Sequence, residues 1–129
     1  MSRAFQYWLP LFAYCGLIFV VSSFSKPPFM GALFVWGGKL LHMGEYSILG
    51  FLSIRAIHSL NLRSSNGFVL ALSVIFCVFY GFSDEIHQSF VPGRTVSIGD
   101  LIADGVGGLL GTFAYWKMAI VRKPATPVT

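Results

Sequence analysis

The chain has 129 residues, of which 55% are hydrophobic, 16% aromatic and only 11% charged. A soluble domain carries roughly 25% charged residues, so this chain has too little polar surface to coat a water-soluble globule. Its net charge of +4 comes from nine Lys/Arg against five Asp/Glu. The basic residues lie mostly beside predicted helix ends, as expected for a membrane protein. We therefore predict an integral membrane protein with no nucleic-acid partner.

The first predicted membrane span covers residues 7–24 and ends before Pro27-Pro28, because proline cannot continue a helix. This run follows Arg3 and resembles a signal peptide, but it lacks an Ala-x-Ala cleavage site, so we expect a retained first helix. Residues 29–36 are apolar but shorter than the roughly 20 residues that a spanning helix needs. They are predicted to lie at the interface or to be re-entrant, with Gly37-Gly38 as a break.

Three further spans are predicted at residues 39–59, 67–84 and 97–119. The third helix can continue through Gln88, before Pro92-Gly93, which suits the centre of a type II turn. Residues 121–129 are expected to be disordered. The predicted fold class is therefore an all-α polytopic membrane protein, a single domain with about four transmembrane helices and a short interfacial or re-entrant segment.

The basic residues predict the orientation of these spans. An even number of spans puts both termini on one side, together with Arg3, Arg55, Arg63, Lys117, Arg122 and Lys123. The other side has Lys26, Lys39 and Arg94. Because cytoplasmic loops carry the excess of Lys and Arg, both termini are predicted to be cytoplasmic.

All five acidic residues fall on the opposite, outer side of this topology: Glu45, Asp84, Glu85, Asp100 and Asp104. Acidic residues contribute little to topology, so membrane insertion does not explain this sorting. Each costs about 2.5–3.5 kcal/mol at the centre of a span and less near the interface. A cluster of ionisable groups inside helix ends is a functional-site hypothesis by default.

The spacing of the polar residues indicates that three helices share one pocket. Residues at i, i+3 and i+4 share a helix face, and three sets have this spacing: His42, Glu45 and Tyr46; Asp84, His87 and Gln88; Asp100 and Asp104. The last stripe continues to Gly107 or Gly108 and to Gly111, where glycines let a neighbouring helix approach closely. We expect the three polar faces to converge on one pocket that opens outward.

Several of these residues also have a structural explanation. Ser97 to Asp100 resembles a capping box, which would make Asp100 a helix-start device. Asp104 lies too deep for capping, which favours a site or a buried ion pair. Glu85 is alternatively a solvated charge at the helix end, and Arg94 a contact to lipid headgroups.

Other polar positions are expected to have no catalytic role. His58 stands alone at the cytoplasmic end of the second span and is predicted to be an interfacial side chain. Tyr80 is expected to be a packed aromatic residue. Cys15 and Cys77 lie in mid-span without Cys-x-x-Cys spacing, which favours buried apolar thiols.

At these residues the sequence resembles the VanZ-like family. Three blocks carry the resemblance: His42-x-x-Glu45-Tyr46, Asp84-Glu85-x-His87-Gln88-x-Phe90-x-Pro92-Gly93-Arg94, and Asp100-x-x-x-Asp104-x-x-Gly107 with Gly111. The middle block is specific, whereas the outer two are weak alone. The resemblance implies a polytopic protein of the bacterial cytoplasmic membrane. The family's namesake is associated with low-level resistance to the glycopeptide antibiotic teicoplanin, a property of the namesake that need not transfer.

Three functions compete for this pocket. The first is a membrane-embedded hydrolase or transferase that acts on a lipid-linked or envelope substrate at the outer leaflet. Its acids and bases would be His42, Glu45, Asp84, His87 and Asp104, and its substrate-binding residues Tyr46, Gln88, Arg94 and Asp100. The second is a non-enzymatic protein that binds a lipid or glycopeptide. The third, a proton-coupled transporter, is disfavoured because the inner half offers no acidic residue.

A divalent metal in the pocket is a further alternative. The candidate ligands are the same five residues, His42, Glu45, Asp84, His87 and Asp104. A mixed set of histidines and carboxylates suits zinc or manganese better than magnesium.

Overall fold

The structure, a computed structural model, describes residues 1–24 and 35–120, without the side chains of residues 35–37 and 120. These residues form helices and contain no strand, which confirms the predicted all-α class. The helices are α1 (Arg3–Ser22), α2 (Val35–His58), α3 (Asn66–Ser89) and α4 (Ile98–Tyr115), which continues into a π-helical turn (Trp116–Ile120). The predicted interfacial segment, apart from its last two residues, and the predicted disordered tail at residues 121–129 lie outside the described residues.

The helix boundaries agree with the predicted spans to within a few residues, with one correction. α2 begins at Val35 and runs through Gly37 and Gly38, so the predicted break at these glycines is wrong. A glycine costs a helix interior only about 1 kcal/mol, which is too little to end a helix by itself. α3 persists to Ser89, which confirms the continuation through Gln88 and places Asp84, His87 and Gln88 on one helix.

Serine residues begin three of the helices. The Oγ atoms of Ser2, Ser65 and Ser97 accept a hydrogen bond from the backbone N–H three residues later, at 3.3, 3.2 and 3.4 Å. A serine at this position satisfies one of the N–H groups that a helix start leaves without an intrahelical partner. These three helix starts are therefore determined locally by sequence.

Contacts between neighbouring helices show that they alternate in direction. α1 and α2 are antiparallel, because Tyr14 Oη donates to the Glu45 carbonyl (2.9 Å) while Arg55 lies over the Tyr7 ring. α2 and α4 are parallel, because Met43 lies against Gly107 and Ser47 against Gly111. α3 is antiparallel to α4, with Gly81 against Asp104 and Cys77 against Gly108.

This arrangement gives the bundle two chemically different ends. We call one the basic end; it contains the start of α1 and the ends of α2 and α4, including Arg3, Arg55, His58 and Tyr115. We call the other the acidic end; it contains the start of α4 and the end of α3, where all the acidic residues except Glu45 lie. Glu45 lines a cavity there together with Gln88 and Arg94.

The closest helix packing in the bundle is between α2 and α4, at glycines. A Cβ atom at Gly107 would collide with the Met43 carbonyl, and one at Gly111 would collide with the Ser47 carbonyl. Gly107 and Gly111 form a G-x-x-x-G pair, which lets helix backbones approach closely. The predicted close approach along this stripe is confirmed.

Two helices, α1 and α3, are long and apolar enough to cross a membrane by length and composition. In the 18-residue apolar segment that meets this criterion, only 11% of α1 and 22% of α3 is buried within the protein. A core helix of a soluble protein is mostly buried. Large side chains such as Phe12 and Phe79 are exposed on these helices. α2, which carries Lys39, Glu45 and Arg55, and α4, which carries two aspartates and several glycines, do not meet the same length and hydropathy criterion.

The glycine packing predicts opposite effects for two identical substitutions. Gly111→Ala should lower the free energy of unfolding by about 1–3 kcal/mol, because the added methyl group overpacks the α2–α4 contact. Gly16→Ala in α1, where a Cβ would meet nothing within 4 Å, should raise stability by about 0.5–1 kcal/mol through helix propensity. Denaturant unfolding of the detergent-solubilised variants measures both values. Equal effects of the two substitutions would contradict the tight α2–α4 contact.

Candidate functional site

A buried histidine–carboxylate pair lies at the centre of the acidic end. His42 Nδ1 and Asp104 Oδ1 are 2.8 Å apart, and the Asp104 side chain is completely buried. The pair joins α2 to α4 beside the contact between Met43 and Gly107, since His42 directly precedes Met43 and Asp104 lies about one turn before Gly107. Because the backbones approach so closely there, these two short polar side chains can reach one another across the interface.

Asp100 lies nearer than this pair to the start of α4 and forms an ion pair with Lys39. Its Oδ1 atom is 3.3 Å from Lys39 Nζ, and both side chains are partly exposed. His42 Nε2 is 4.0 Å from Asp100 Oδ2, which is too long for a hydrogen bond. Asp104 therefore holds one nitrogen of the imidazole ring, and the other has no hydrogen bond to the described residues.

A cavity of about 440 Å³ opens beside His42, between α1, α2 and the end of α3. Its polar lining includes His42, Glu45, Gln88 and Arg94. Its apolar lining comes from the hydrophobic residues Leu17, Val21, Leu40 and Leu41. The cavity therefore joins an apolar wall to a small group of acid, base and cationic side chains.

A chain of hydrogen bonds holds the cationic side of this cavity. Gln88 Nε2 donates to Asp84 Oδ2 at 3.0 Å, and Gln88 Oε1 accepts from an Arg94 amino group at 3.2 Å. The other amino group of Arg94 donates to the Phe24 carbonyl at 3.1 Å. Asp84 and Gln88 are buried, so these hydrogen bonds hold the Arg94 guanidinium group in a fixed position. Arg94 forms no ion pair with a described residue and retains N–H groups for another acceptor.

Glu85 has a different role from the two predicted for it. Its side chain is only 3% exposed, so it is not a solvated charge. Its Oε2 atom accepts a hydrogen bond from the Ser97 backbone N–H at 3.3 Å, across the turn from α3 to α4. Ser97 Oγ in turn accepts from Asp100 N–H. The motif at Ser97 is therefore half of a capping box, and Glu85, not Asp100, supplies the reciprocal acceptor.

Tyr46 and His87 do not line the cavity in the structure. Tyr46 is completely buried, with its ring near Gly81, and its hydroxyl group has no hydrogen-bond partner among the described residues. His87 lies against α1, where its ring stacks on Phe19 and Nε2 is 2.9 Å from Ser23 Oγ. The i, i+3 spacing placed His87 on the polar side of α3, but a histidine there can also face the neighbouring helix.

The structure thus brings together most, but not all, of the predicted site residues. The residues that contact one another or share the cavity are His42, Glu45, Asp84, Gln88, Arg94, Asp100 and Asp104. The metal alternative gains no support, because no group of three or more His, Cys, Asp or Glu residues within residues 1–24 and 35–120 could hold an ion.

Sequence reasoning missed the contribution of α1 and the role of Lys39. α1 has no charged residue beyond Arg3, so nothing in its sequence pointed to the cavity that Leu17 and Val21 line. Lys39 entered the sequence analysis only through topology, whereas it pairs with Asp100. The expectations for Tyr80 and Cys77 are confirmed: the Tyr80 hydroxyl donates to the Cys15 carbonyl within the bundle, and Cys77 is a buried thiol.

The position of Glu85 predicts that it stabilises the start of α4. Glu85→Ala should lower the free energy of unfolding by about 1.5–3 kcal/mol, the range for a hydrogen bond to a charged group. Glu85→Gln keeps an oxygen acceptor for Ser97 N–H and should lose less than half as much. Denaturant unfolding in detergent compares the two variants. An equal loss would show that the Ser97 bond is not what Glu85 contributes.

Comparison with known proteins agrees with the motif blocks. The family model described as VanZ/LLP1 matches residues 3–122, which is nearly the whole chain. No curated protein and no solved structure matches the chain. Since the match extends from the first residue of α1 past the π-helical turn, it includes every helix of the bundle. The chain belongs to the VanZ/LLP1 family.

Proposed function

We propose that this protein is an enzyme of the bacterial cytoplasmic membrane, a hydrolase or transferase that acts on a lipid-linked envelope substrate at the outer leaflet. The observation that carries the proposal is the pair His42–Asp104 beside a cavity that is apolar on one side and charged on the other. All four helices would cross the membrane, with both termini in the cytoplasm.

The shape and surface of the bundle support the four spans. The helices alternate in direction, and α1 and α3 expose large apolar side chains over most of their length. The acidic residues are at one end, and Arg3 and Arg55 are at the other. A bilayer would cover the apolar sides, and the positive-inside rule would place the basic end in the cytoplasm.

Cysteine labelling in intact cells tests this orientation. In a background with Cys15 and Cys77 replaced by alanine, single cysteines at Thr95 and Ser64 would report on the acidic and basic ends; both positions are exposed. A membrane-impermeant maleimide should label Thr95→Cys in intact cells, and Ser64→Cys only after lysis, because only the first position would face outward. Labelling of Ser64→Cys alone would invert the topology. Labelling of both in intact cells would rule out the membrane barrier between the two ends.

In the proposed mechanism His42 is the general base. With its Nδ1 proton donated to Asp104, the imidazole ring has Nε2 as its basic nitrogen, and the carboxylate fixes this tautomer. Nε2 would take a proton from water in a hydrolase, or from an acceptor hydroxyl group in a transferase. The oxygen would then attack the substrate, and protonated Glu45, on the same cavity, would give its proton to the departing oxygen.

Arg94 and the apolar wall would bind the substrate. A guanidinium suits phosphate, because its planar set of donors can bond two oxygens at once. The hydrogen bonds that Arg94 donates to Gln88 Oε1 and to the Phe24 carbonyl hold it at the cavity. Leu17, Val21 and Leu40 would contact a hydrocarbon chain. These features favour an amphiphile with an acidic head.

The contacts of the remaining site residues support some of their predicted roles and not others. Asp84 would act through Gln88, which it positions, and Asp100 would hold Lys39 near His42. Tyr46 and His87 do not line the cavity, so their predicted roles in substrate binding and catalysis need a change of side-chain position. A zinc or manganese ion at the acidic end would likewise need such a change, since the described residues offer no set of three ligands.

A non-enzymatic lipid or glycopeptide binder is the second candidate. The mostly aliphatic lining favours it, because an apolar wall with one cation binds an amphiphile without any acid or base. A proton-coupled transporter has less support. The acidic residue nearest the basic end is Glu45, and Arg55 lies ten residues further along α2, or about 15 Å at 1.5 Å per residue. No carboxylate lines that inner half.

Two conservative substitutions separate the enzyme from the binder. Glu45→Gln and Asp104→Asn keep size and much of the hydrogen bonding but remove the acid–base function. For an enzyme, each should abolish complementation of a deletion strain, while membrane abundance stays near normal. The readout is the lipid-linked envelope composition of the deletion strain by mass spectrometry, with abundance measured on the same cells. Glu85→Gln, the same change at an acid outside the cavity, is the matched control and should complement.

The other outcomes have distinct meanings. Loss of the protein from the membrane would indicate a structural ion pair, since stranding one partner of a buried pair costs about 3–5 kcal/mol. A graded, partial loss of complementation would favour the binder. Full complementation by both variants at normal abundance would end the catalytic proposal.

A further inference from the structure

A second polar cavity, of about 230 Å³, lies at the basic end, far from the candidate active site. Residues from three helices and one loop line it: Arg3, Tyr7, Arg55, His58, Asn61 and Tyr115. Its volume is several times the roughly 30 Å³ that a water molecule occupies in the liquid. It is therefore large enough for a small polar group.

The charge of this cavity is entirely positive. The chain has five acidic side chains, and all of them lie toward the acidic end, so none is available to pair with Arg3 or Arg55. The nearest along α2, Glu45, is about 15 Å from Arg55 by helix rise. That distance exceeds the Debye length of about 8 Å at physiological ionic strength. Arg55 is nevertheless half-buried, and a charge withdrawn from water without a partner is costly.

The donors of this cavity are held in place by the fold. The Arg55 guanidinium lies over the Tyr7 ring, 4.6 Å from its centroid, which links α2 to α1. His58 Nδ1 is 3.5 Å from the Tyr115 hydroxyl group, which links α2 to α4. Asn61 follows with a positive φ of 50°, a conformation that asparagine tolerates better than most residues. Cationic, hydroxyl and amide groups thus converge from separate segments.

The end of α4 also departs from regular helix at this cavity. The π-helical turn Trp116–Ile120 follows Tyr115 directly, and Ala119 of that turn lines the cavity. Single π-helical turns occur frequently at functional sites.

We propose that the basic end contains a binding site for a phosphate group, with Arg3 and Arg55 as its charged ligands. Guanidinium groups recognise phosphate through paired donors, and neighbouring hydroxyl and amide groups complete the set. The phosphate can belong to a phosphomonoester lipid headgroup or to a free phosphate ion. In the proposed orientation the lipid would come from the cytoplasmic leaflet. The site does not depend on the chemistry proposed for the acidic end.

Two simpler explanations for these cations make different predictions. The first is that arginine and histidine in the last turn of α2 interact favourably with the helix dipole. The second is that basic residues at this end keep it in the cytoplasm through diffuse attraction to headgroups. Neither explanation requires a particular arginine or a saturable stoichiometry. A specific site requires both.

Native mass spectrometry of the full chain in detergent micelles distinguishes these cases. The probe is dioleoyl phosphatidate, with dioleoyl phosphatidylcholine as the control lipid and inorganic phosphate as competitor. We expect one phosphatidate to bind saturably. Arg55→Gln and Arg3→Gln should each weaken it by about tenfold or more, as expected for losing a hydrogen bond to a charged group. Arg63→Gln removes the same charge from the exposed loop after α2, outside the cavity, and should change affinity by less than about threefold.

Competition by millimolar inorganic phosphate would identify the free ion as a ligand, and its absence would identify the lipid headgroup; the site stands in both cases. Equal weakening by Arg55→Gln and Arg63→Gln would overturn the proposal in favour of diffuse attraction. Failure of both phosphatidate and inorganic phosphate to bind saturably would also overturn it. Arg3 is exposed at the first residue of α1, so Arg3→Gln gives a usable result even where Arg55→Gln does not fold.

Discussion

The close contact between α2 and α4 is the constraint on which the rest of the structure depends. Gly107 and Gly111 leave no room for a Cβ atom against the carbonyls of Met43 and Ser47. At this separation of the helices, His42 Nδ1 and Asp104 Oδ1 come within 2.8 Å of each other. Larger residues at the glycines would push the helices apart and break the pair. The packing of the bundle and the chemistry of the acidic end therefore rest on the same four backbone positions.

The polar residues of the acidic end divide into those that hold the bundle and those that face the cavity. Glu85 is used to start α4 by accepting from Ser97 N–H, and Asp84 positions Gln88. Glu45 and Arg94 line the cavity, and His42 lines it while remaining bonded to Asp104. Burial of a charged group without a partner is costly, so acids that are only structural are expected to be bonded internally. Glu45 is the carboxylate on the cavity with no hydrogen bond from a described residue, which makes it the acid most available to a substrate.

The separation of charge between the two ends links topology to function. In the proposed orientation the acidic end would face outward with the candidate active site, and the basic end would face the cytoplasm with the proposed phosphate site. α2 connects them, since it carries His42 and Glu45 near its start and Arg55 and His58 in its last turn. Both sites thus depend on how α2 packs between α1 and α4.

The sequence by itself determined the all-α class, the approximate positions of the helices and the gathering of the acidic residues, because apolar length and helical spacing are local properties. The serine cap at Ser97 and the glycine stripe of α4 were also predicted from residue types alone, whereas the caps at Ser2 and Ser65 were not. Only the tertiary structure decided which way each polar side chain faces. His87 and Gln88 are neighbours on α3, yet one stacks on Phe19 and the other bonds Asp84. The participation of α1, which offers only leucine and valine side chains to the cavity besides Ser22, likewise follows from packing, because an apolar lining residue has the same sequence signature as one that faces lipid.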